Sequence, residues 1–239
     1  VEILKKLNCR VIKIASLEAN DYPLIDEIAK LKKPVIFSTG TSNLSEIQKT
    51  YLYLKKKGIK DIAILYCVSN YPSSYKDFNF KNLHILKKKF NCVIGFSDHS
   101  NDDNVVKSAI AAGAEIIEKH VMLNNNKKTP DSEFSIKVNK IEKLIHELTK
   151  IKHMSLNTGK YFISEKELDN KKYRRSIYII KNIKKGQKFT EENIKCLRPN
   201  IGLPPKYFKH ILKLRSPSEL NYGDPITNKL YKKIKTYNK

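Results

Sequence analysis

The sequence predicts an α/β protein with a parallel sheet, followed by a second, smaller and β-rich domain. Three observations carry this. Short apolar runs begin at 11, 34, 61, 92 and 115 with amphipathic stretches between them, the beat of β/α units joined by right-handed crossovers. The runs are β-branched and mostly do not alternate with polar residues, as strands buried on both faces read. Beyond about 175 the helical periodicity gives way to short strands punctuated by Gly and Pro.

Taken in order, Val11-Ile-Lys-Ile-Ala15 is a strand and Tyr22 to Leu31 an amphipathic helix. Pro34-Val-Ile-Phe-Ser38 is the second strand. Gly40 then turns the chain, and Asn43 or Ser45 caps a helix running to Lys57-Gly58. Asp61 to Cys67 is the third strand, and a helix near Phe80 to Phe90 leads to the fourth at Cys92 to Phe96. A helix from Asp103 to Ala112, ended by Gly113, precedes the fifth strand at Glu115 to Lys119, and a last helix covers about Asn139 to Ile151.

Five such units are too few for a closed (β/α)8 barrel, and an open doubly wound sheet usually carries a glycine-rich phosphate loop after its first strand. Here Ser16-Leu-Glu-Ala-Asn-Asp21 follows the first strand, with no GxGxxG. The pattern therefore reads as a partial (β/α)8 TIM barrel, its last five β/α units, over residues 1–152. Residues 153–174 are polar and basic and read as a linker. Residues 175–236 form the small β-rich domain, with a strand at Ser176 to Ile180, turns at Lys184-Lys-Gly-Gln and Tyr222-Gly-Asp-Pro225, a short strand after the latter and almost no helix.

The chain has 239 residues and a net charge of +23. That charge favours a polyanion partner only if it is clustered. It is mostly lysine, scattered in groups such as Lys55 to Lys57 and Lys87 to Lys89, in a sequence also rich in Asn and Ile, so compositional bias is the simpler reading and no nucleic acid is expected. No apolar run approaches the roughly 18 residues a membrane span needs, and Val1-Glu-Ile-Leu-Lys-Lys has no signal-peptide pattern, so no membrane and a cytoplasmic location are expected. Cys9, Cys67, Cys92 and Cys196 show no CxxC spacing. Neither a disulfide framework nor a zinc cluster is indicated, and Cys67 and Cys92 read as small hydrophobes.

Chemistry is expected at the C-terminal strand ends, where the loops of a parallel α/β protein converge. Two histidines sit there in matching positions, in Cys92-Val-Ile-Gly-Phe-Ser-Asp-His99 and Glu115-Ile-Ile-Glu-Lys-His120. Each alone reads as a satisfied loop histidine. As a pair beside Ser97, Asp98 and Glu118 they read as ligands of one divalent cation, able to polarise a carbonyl. Lys13 among the hydroxyls of Ser16, Ser38, Thr39, Ser69 and Ser97 makes a phosphate or carboxylate cradle, and Asp131 in Thr129-Pro-Asp-Ser-Glu-Phe-Ser135 suits a sugar hydroxyl. Together these suggest an aldol-like condensation of an anionic donor with a sugar aldehyde.

Six ordered segments carry a family resemblance: Lys13-Ile-Ala-Ser-Leu-Glu-Ala-Asn-Asp21, Ser38-Thr-Gly40, Cys67-Val-Ser-Asn-Tyr-Pro72, Gly95-Phe-Ser-Asp-His99, Glu118-Lys-His120 and Asp131-Ser-Glu-Phe-Ser135. They resemble the sialic acid synthase family, which condenses phosphoenolpyruvate with N-acetylated hexoses. Lys184-Lys-Gly186 and Leu197-Arg-Pro199 resemble its antifreeze-like SAF domain. Ser-Leu-Glu-Ala-Asn-Asp, Ser69 and Asp-Ser-Glu-Phe-Ser look most like the pseudaminic acid branch. The resemblance implies His99 and His120 as ligands of Mn2+ or Mg2+, with Glu118 beside them as the remaining catalytic group. It implies Lys13, Ser38, Ser69 and Ser97 around the phosphoenolpyruvate phosphate, and Asp131 and Tyr71 on the N-acetylated hexose. It also implies a homodimer in which Arg198 of one SAF domain reaches the other subunit's site. Family members begin with three further β/α units and a catalytic glutamate that this sequence lacks, so it reads as a fragment. A non-catalytic remnant that binds sugar or a partner chain, and a polyanion-binding protein, are the competing expectations.

Overall fold

A computed structural model describes residues 1–123, 128–155 and 161–239. It divides into two compact units, Val1–Asn157 and Thr158–Lys239.

In the first unit α1 (Glu2–Lys6) precedes β1 (Ile12–Ile14), β2 (Val35–Ser38), β3 (Ile62–Cys67), β4 (Val93–Asp98) and β5 (Ile117–Lys119). All five strands are parallel and lie in sequence order, which leaves β1 and β5 as the edges. The crossovers are α2 (Tyr22–Lys30), α3 (Leu44–Lys56), α4 (Lys81–Lys89) and α5 (Asp103–Ala111). Their starts follow from local chemistry. The Asp21 side chain accepts from Leu24 N, Asp102 from Asn104 N, and Asn43 from Ser45 N and Glu46 N while Glu46 reaches back to Asn43 N. Two elements have no sequence pattern of their own: β6 (Val121–Met122) and β7 (Ile136–Lys137) pair in parallel, and α6 (Val138–Met154) then packs on α5.

The period of two along each strand sorts the sheet into faces. Ile12, Ile14, Val35, Phe37, Ile62, Ile64, Tyr66, Ile94 and Phe96 face the helices and form one core with residues such as Ile25, Leu54, Leu83 and Val106. The alternate residues face inward. The sheet curls into an open half-barrel, so that Lys13 Nζ on one edge strand reaches Glu118 Oε1 on the other at 3.2 Å. Towards the N-terminal strand ends the inner side is apolar, and Ile36, Ala63, Val93 and Ile116 line a cavity of about 360 Å³. Gly95 permits this curl: a Cβ there would stand 2.6 Å from the Ile116 carbonyl oxygen.

In the second unit β8 (Ser176–Ile179) and β9 (Ile194–Leu197) pair antiparallel, with single bridges at Tyr178–Pro225, Ile183–Leu220 and Lys188–Arg215. Ile177, Ile179, Phe189, Ile194, Leu203, Ile211 and Ile226 are its core. The stretch expected to be linker carries α7 (Glu165–Asp169), capped by Ser164, and a 3-10 turn over Asn170–Tyr173. The domain also holds more helix than its composition suggested. α8 (Phe208–Ile211) is short, and α9 (Asn228–Tyr237) replaces the strand expected after Pro225, because Thr227 caps it and its stripe buries Tyr231 and Ile234. Among the described residues no helix is long and apolar enough to cross a membrane.

Candidate functional site

The inward residues become polar at the C-terminal strand ends. His99 and His120, one residue beyond β4 and β5, lie with ring centroids 5.3 Å apart. His99 Nδ1 stands 3.0 Å from the Val68 carbonyl oxygen, which can only accept, so Nδ1 carries the proton. Cys67 Sγ lies farther from the same nitrogen, at 3.8 Å. His120 Nδ1 lies 3.3 Å from Asp131 Oδ2. Both rings are thus engaged through Nδ1 by partners of the kind that orient metal-binding imidazoles, which leaves each Nε2 for a ligand. Phe134, 4% exposed, sets its ring edge-on to both, with centroids 4.9 Å from His120 and 6.1 Å from His99. Tyr71 lies against His99 at 4.2 Å from the open side.

The donor set fits a divalent cation with open coordination positions. Among the described residues no cluster of three His, Cys, Asp or Glu side chains could hold a metal. Burial pushes His99 towards its neutral form, but the contacts to Cys67 and the Val68 carbonyl outweigh it and raise its pKa.

Beside the histidines three strand ends form a hydroxyl-lined cradle. Gly40 N donates to Ser16 Oγ at 3.0 Å, and a Cβ on Gly40 would fall 2.0 Å from Ser69 Oγ. Only glycine admits both hydroxyls. Ser38 Oγ is buried without a hydrogen-bond partner among the described residues, a group that a bound anion would satisfy. Lys13, deeper in the half-barrel, meets Glu118, whose Oε1 also accepts from Ser97 Oγ at 2.7 Å.

The structure therefore brings Lys13, Ser38, Ser69, Tyr71, Ser97, His99, Glu118, His120 and Asp131 to one end of one half-barrel. Arg198 belongs to the other unit, exposed just after β9, in a segment held where Pro199 O accepts from Ser176 Oγ and Tyr178 Oη. Asp98 stands beside His99 in sequence but points away from the histidines to the helix side, where it pairs with Lys119. Cys67 is buried, as a small hydrophobe would be, but it faces the cradle 3.8 Å from Ser69 Oγ, and although burial raises its pKa, His99, Ser16 and Ser69 together lower it. On sequence alone Phe134 has no role and Gly40 only that of turning the chain after β2. Their signal was the spacing that sets each beside a strand end.

Five parallel β/α units curled into a half-barrel, with polar side chains gathered at the C-terminal strand ends, place the chain among β/α-barrel proteins. Within that class it belongs to the NeuB family, whose model matches residues 1–160, and residues 174–231 match the SAF domain. The pseudaminic acid synthase of Campylobacter jejuni is 38% identical over 226 residues, which are 95% of this chain and 66% of that protein. An N,N'-diacetyllegionaminic acid synthase of the same species is 34% identical, over 89% of this chain and 64% of its own length. Among solved structures, spore coat polysaccharide biosynthesis protein spsE of Bacillus subtilis matches with a TM-score of 0.62 at 28% identity, covering 98% of this chain and 70% of that one. The chain thus spans about two thirds of the length of these relatives.

Proposed function

We propose that the chain supplies the metal- and phosphate-facing part of a nonulosonic acid synthase, namely a pseudaminic acid synthase. The reaction joins phosphoenolpyruvate to a 2,4-diacetamido-2,4,6-trideoxy hexose. The donor's methylene carbon attacks the acceptor's aldehyde carbon, water adds at the carbon bearing phosphate, and phosphate leaves with C–O cleavage. The carrying observation is that His99 and His120 are both held through Nδ1 beside a cradle with an unsatisfied Ser38 hydroxyl. Identity of 38% to a pseudaminic acid synthase against 34% to a legionaminic acid synthase supports the acceptor of the first. A legionaminic acid or N-acetylneuraminate synthase, acting on the corresponding N-acetylated hexose, is the second reading.

His99 and His120 hold the divalent cation, Mn2+ or Mg2+, which when bound supplies Lewis-acid polarisation of the aldehyde; imidazole donors favour Mn2+ of the two. Ser16, Ser38, Ser69 and Ser97 hydroxyls bind the phosphate, and Lys13 neutralises it. As phosphate draws Lys13 away, the Glu118 carboxylate is released to take a proton from the adding water. Asp131 and Tyr71 border the acceptor, and in a homodimer Arg198 of the partner subunit's SAF domain completes the site.

Phosphate release from phosphoenolpyruvate and the acceptor, with and without EDTA, tests the reading in the complete protein. His99→Ala and His120→Ala abolish it. Lys13→Met mainly raises the phosphoenolpyruvate requirement. Mixed His99→Ala and Arg198→Ala subunits recover part of the activity if the SAF domain is exchanged. Normal metal-dependent turnover in His99→Ala overturns the assignment, and a complete protein inert towards every N-acetylated hexose acceptor favours the non-catalytic remnant.

A further inference from the structure

Directly beneath the histidines lies a pair of charges that the proposed chemistry does not use. Asp98 and Lys119 have side-chain exposures of only 0% and 8%, on the helix side of the sheet. They are register partners across β4 and β5, and the residue that follows each strand is a histidine. Lys119 Nζ donates to Asp98 Oδ2 at 2.5 Å and to the Ser100 carbonyl at 2.7 Å, and Asp98 Oδ1 accepts from Ser100 N at 2.9 Å. One ammonium therefore ties both flanks of His99 to the residue that precedes His120.

Burying such a pair carries a desolvation cost that an apolar pair of the same volume avoids. Apolar packing lacks direction, however: two methyl-bearing chains can slip past one another with little change in contact. A cation shared between Oδ2 of residue 98 and the carbonyl of residue 100 fixes how far β4 is advanced relative to β5. The pair lies on the face of the sheet opposite the one that carries Ser97 and Glu118, so it does not itself line the cradle.

We propose that Asp98 and Lys119 are positioning residues: they set the register and spacing of the two imidazoles and thereby the affinity of the pair for a divalent cation. The inference rests on reading His99 and His120 as metal ligands.

The test is a Mn2+ titration of the full chain followed by the EPR signal of free Mn2+, with thermal unfolding measured on the same samples. Asp98→Leu/Lys119→Met removes both charges together; it keeps its unfolding midpoint and loses roughly 10-fold in Mn2+ affinity, the low end of what losing a direct hydrogen-bond partner of a metal-binding imidazole costs, because this pair acts on the rings through the backbone. Lys119→Arg recovers most of that affinity. If the double variant does not fold, Asp98→Glu, which keeps both charges and lengthens one arm, reads the same quantity. His99→Ala separates the two levels. A parent chain that fails to bind Mn2+, or binds it equally after His99→Ala, overturns the ligand assignment and this inference with it. Binding that depends on His99 but is unchanged in the double variant, or in Asp98→Glu where that is the variant that folds, overturns this inference alone.

Discussion

Glu118 and Lys119 are neighbours on β5, each makes one ion pair to another strand, and the two pairs are built for opposite purposes. Glu118 faces the half-barrel and meets Lys13 with side chains 38% and 32% exposed, whereas Lys119 faces the helices and meets Asp98 at 8% and 0%. Water reaches the first pair, so its attraction is weak and an arriving anion can take the lysine. The second pair has no competing solvent, so losing either partner strands a charge. Placing exchangeable charge on the inner face and fixed charge on the outer face lets the site rearrange without disturbing the strands that carry it.

Breaking the buried pair from one side gives the largest effect. Asp98→Ala or Lys119→Ala leaves a buried charge uncompensated and lowers unfolding stability by about 3–5 kcal/mol. Urea unfolding measures this, and Glu118→Gln in the same assay loses about 1 kcal/mol or less. Equal losses at the two positions would show that the faces do not differ in the way described. Next in size is Gly95→Ala. Its Cβ would meet the Ile116 carbonyl oxygen and Leu65 Cδ2, both at 2.6 Å, so overpacking costs about 1–3 kcal/mol where β4 and β5 approach. Smaller again is Asn43→Ala, about 1 kcal/mol for the lost cap of α3, far from either pair, and it serves as the reference for an ordinary local loss.

The contrast between the two pairs also explains what could be read from sequence. Strands β1 to β5 and their crossovers were legible because parallel strands buried on both faces form continuous apolar runs between capped helices. That same continuity hides which side each residue faces. In β3 every residue is buried, so nothing in Ile62 to Cys67 distinguishes Cys67, turned to the cradle, from Tyr66, turned to the helices. The orientation of Asp98 was hidden for this reason: it sits between Ser97 and His99, both on the site side, and only the register shows that it alone points the other way. The histidines, the serines and Lys13 were found by type and by position at strand ends. β6 and β7 are too short to leave a pattern, and α9 was hidden because its lysines resemble the lysines elsewhere, so that only the Thr227 cap and the Tyr231–Ile234 stripe mark it.

The smallest effect is the most discriminating for the exposed pair, because its sign separates two uses of Lys13. If the lysine serves the anion, its pairing with Glu118 is an internal competitor. Glu118→Gln removes the competing carboxylate while an amide oxygen still accepts from Ser97 Oγ, so Lys13 is left to the cradle. Binding of inorganic phosphate should then tighten, by at most about 1 kcal/mol or roughly fivefold for a pair this exposed. Turnover should fall at the same time, because the proton acceptor is gone. Lys13→Met should weaken phosphate instead, and added salt should narrow both differences, since screening acts on exposed charges first. Calorimetric titration of phosphate into the three proteins at two ionic strengths measures all of this. Weaker phosphate binding in Glu118→Gln would show that the carboxylate holds Lys13 in place for the anion rather than competing with it, and the inner pair would then be as fixed as the outer one.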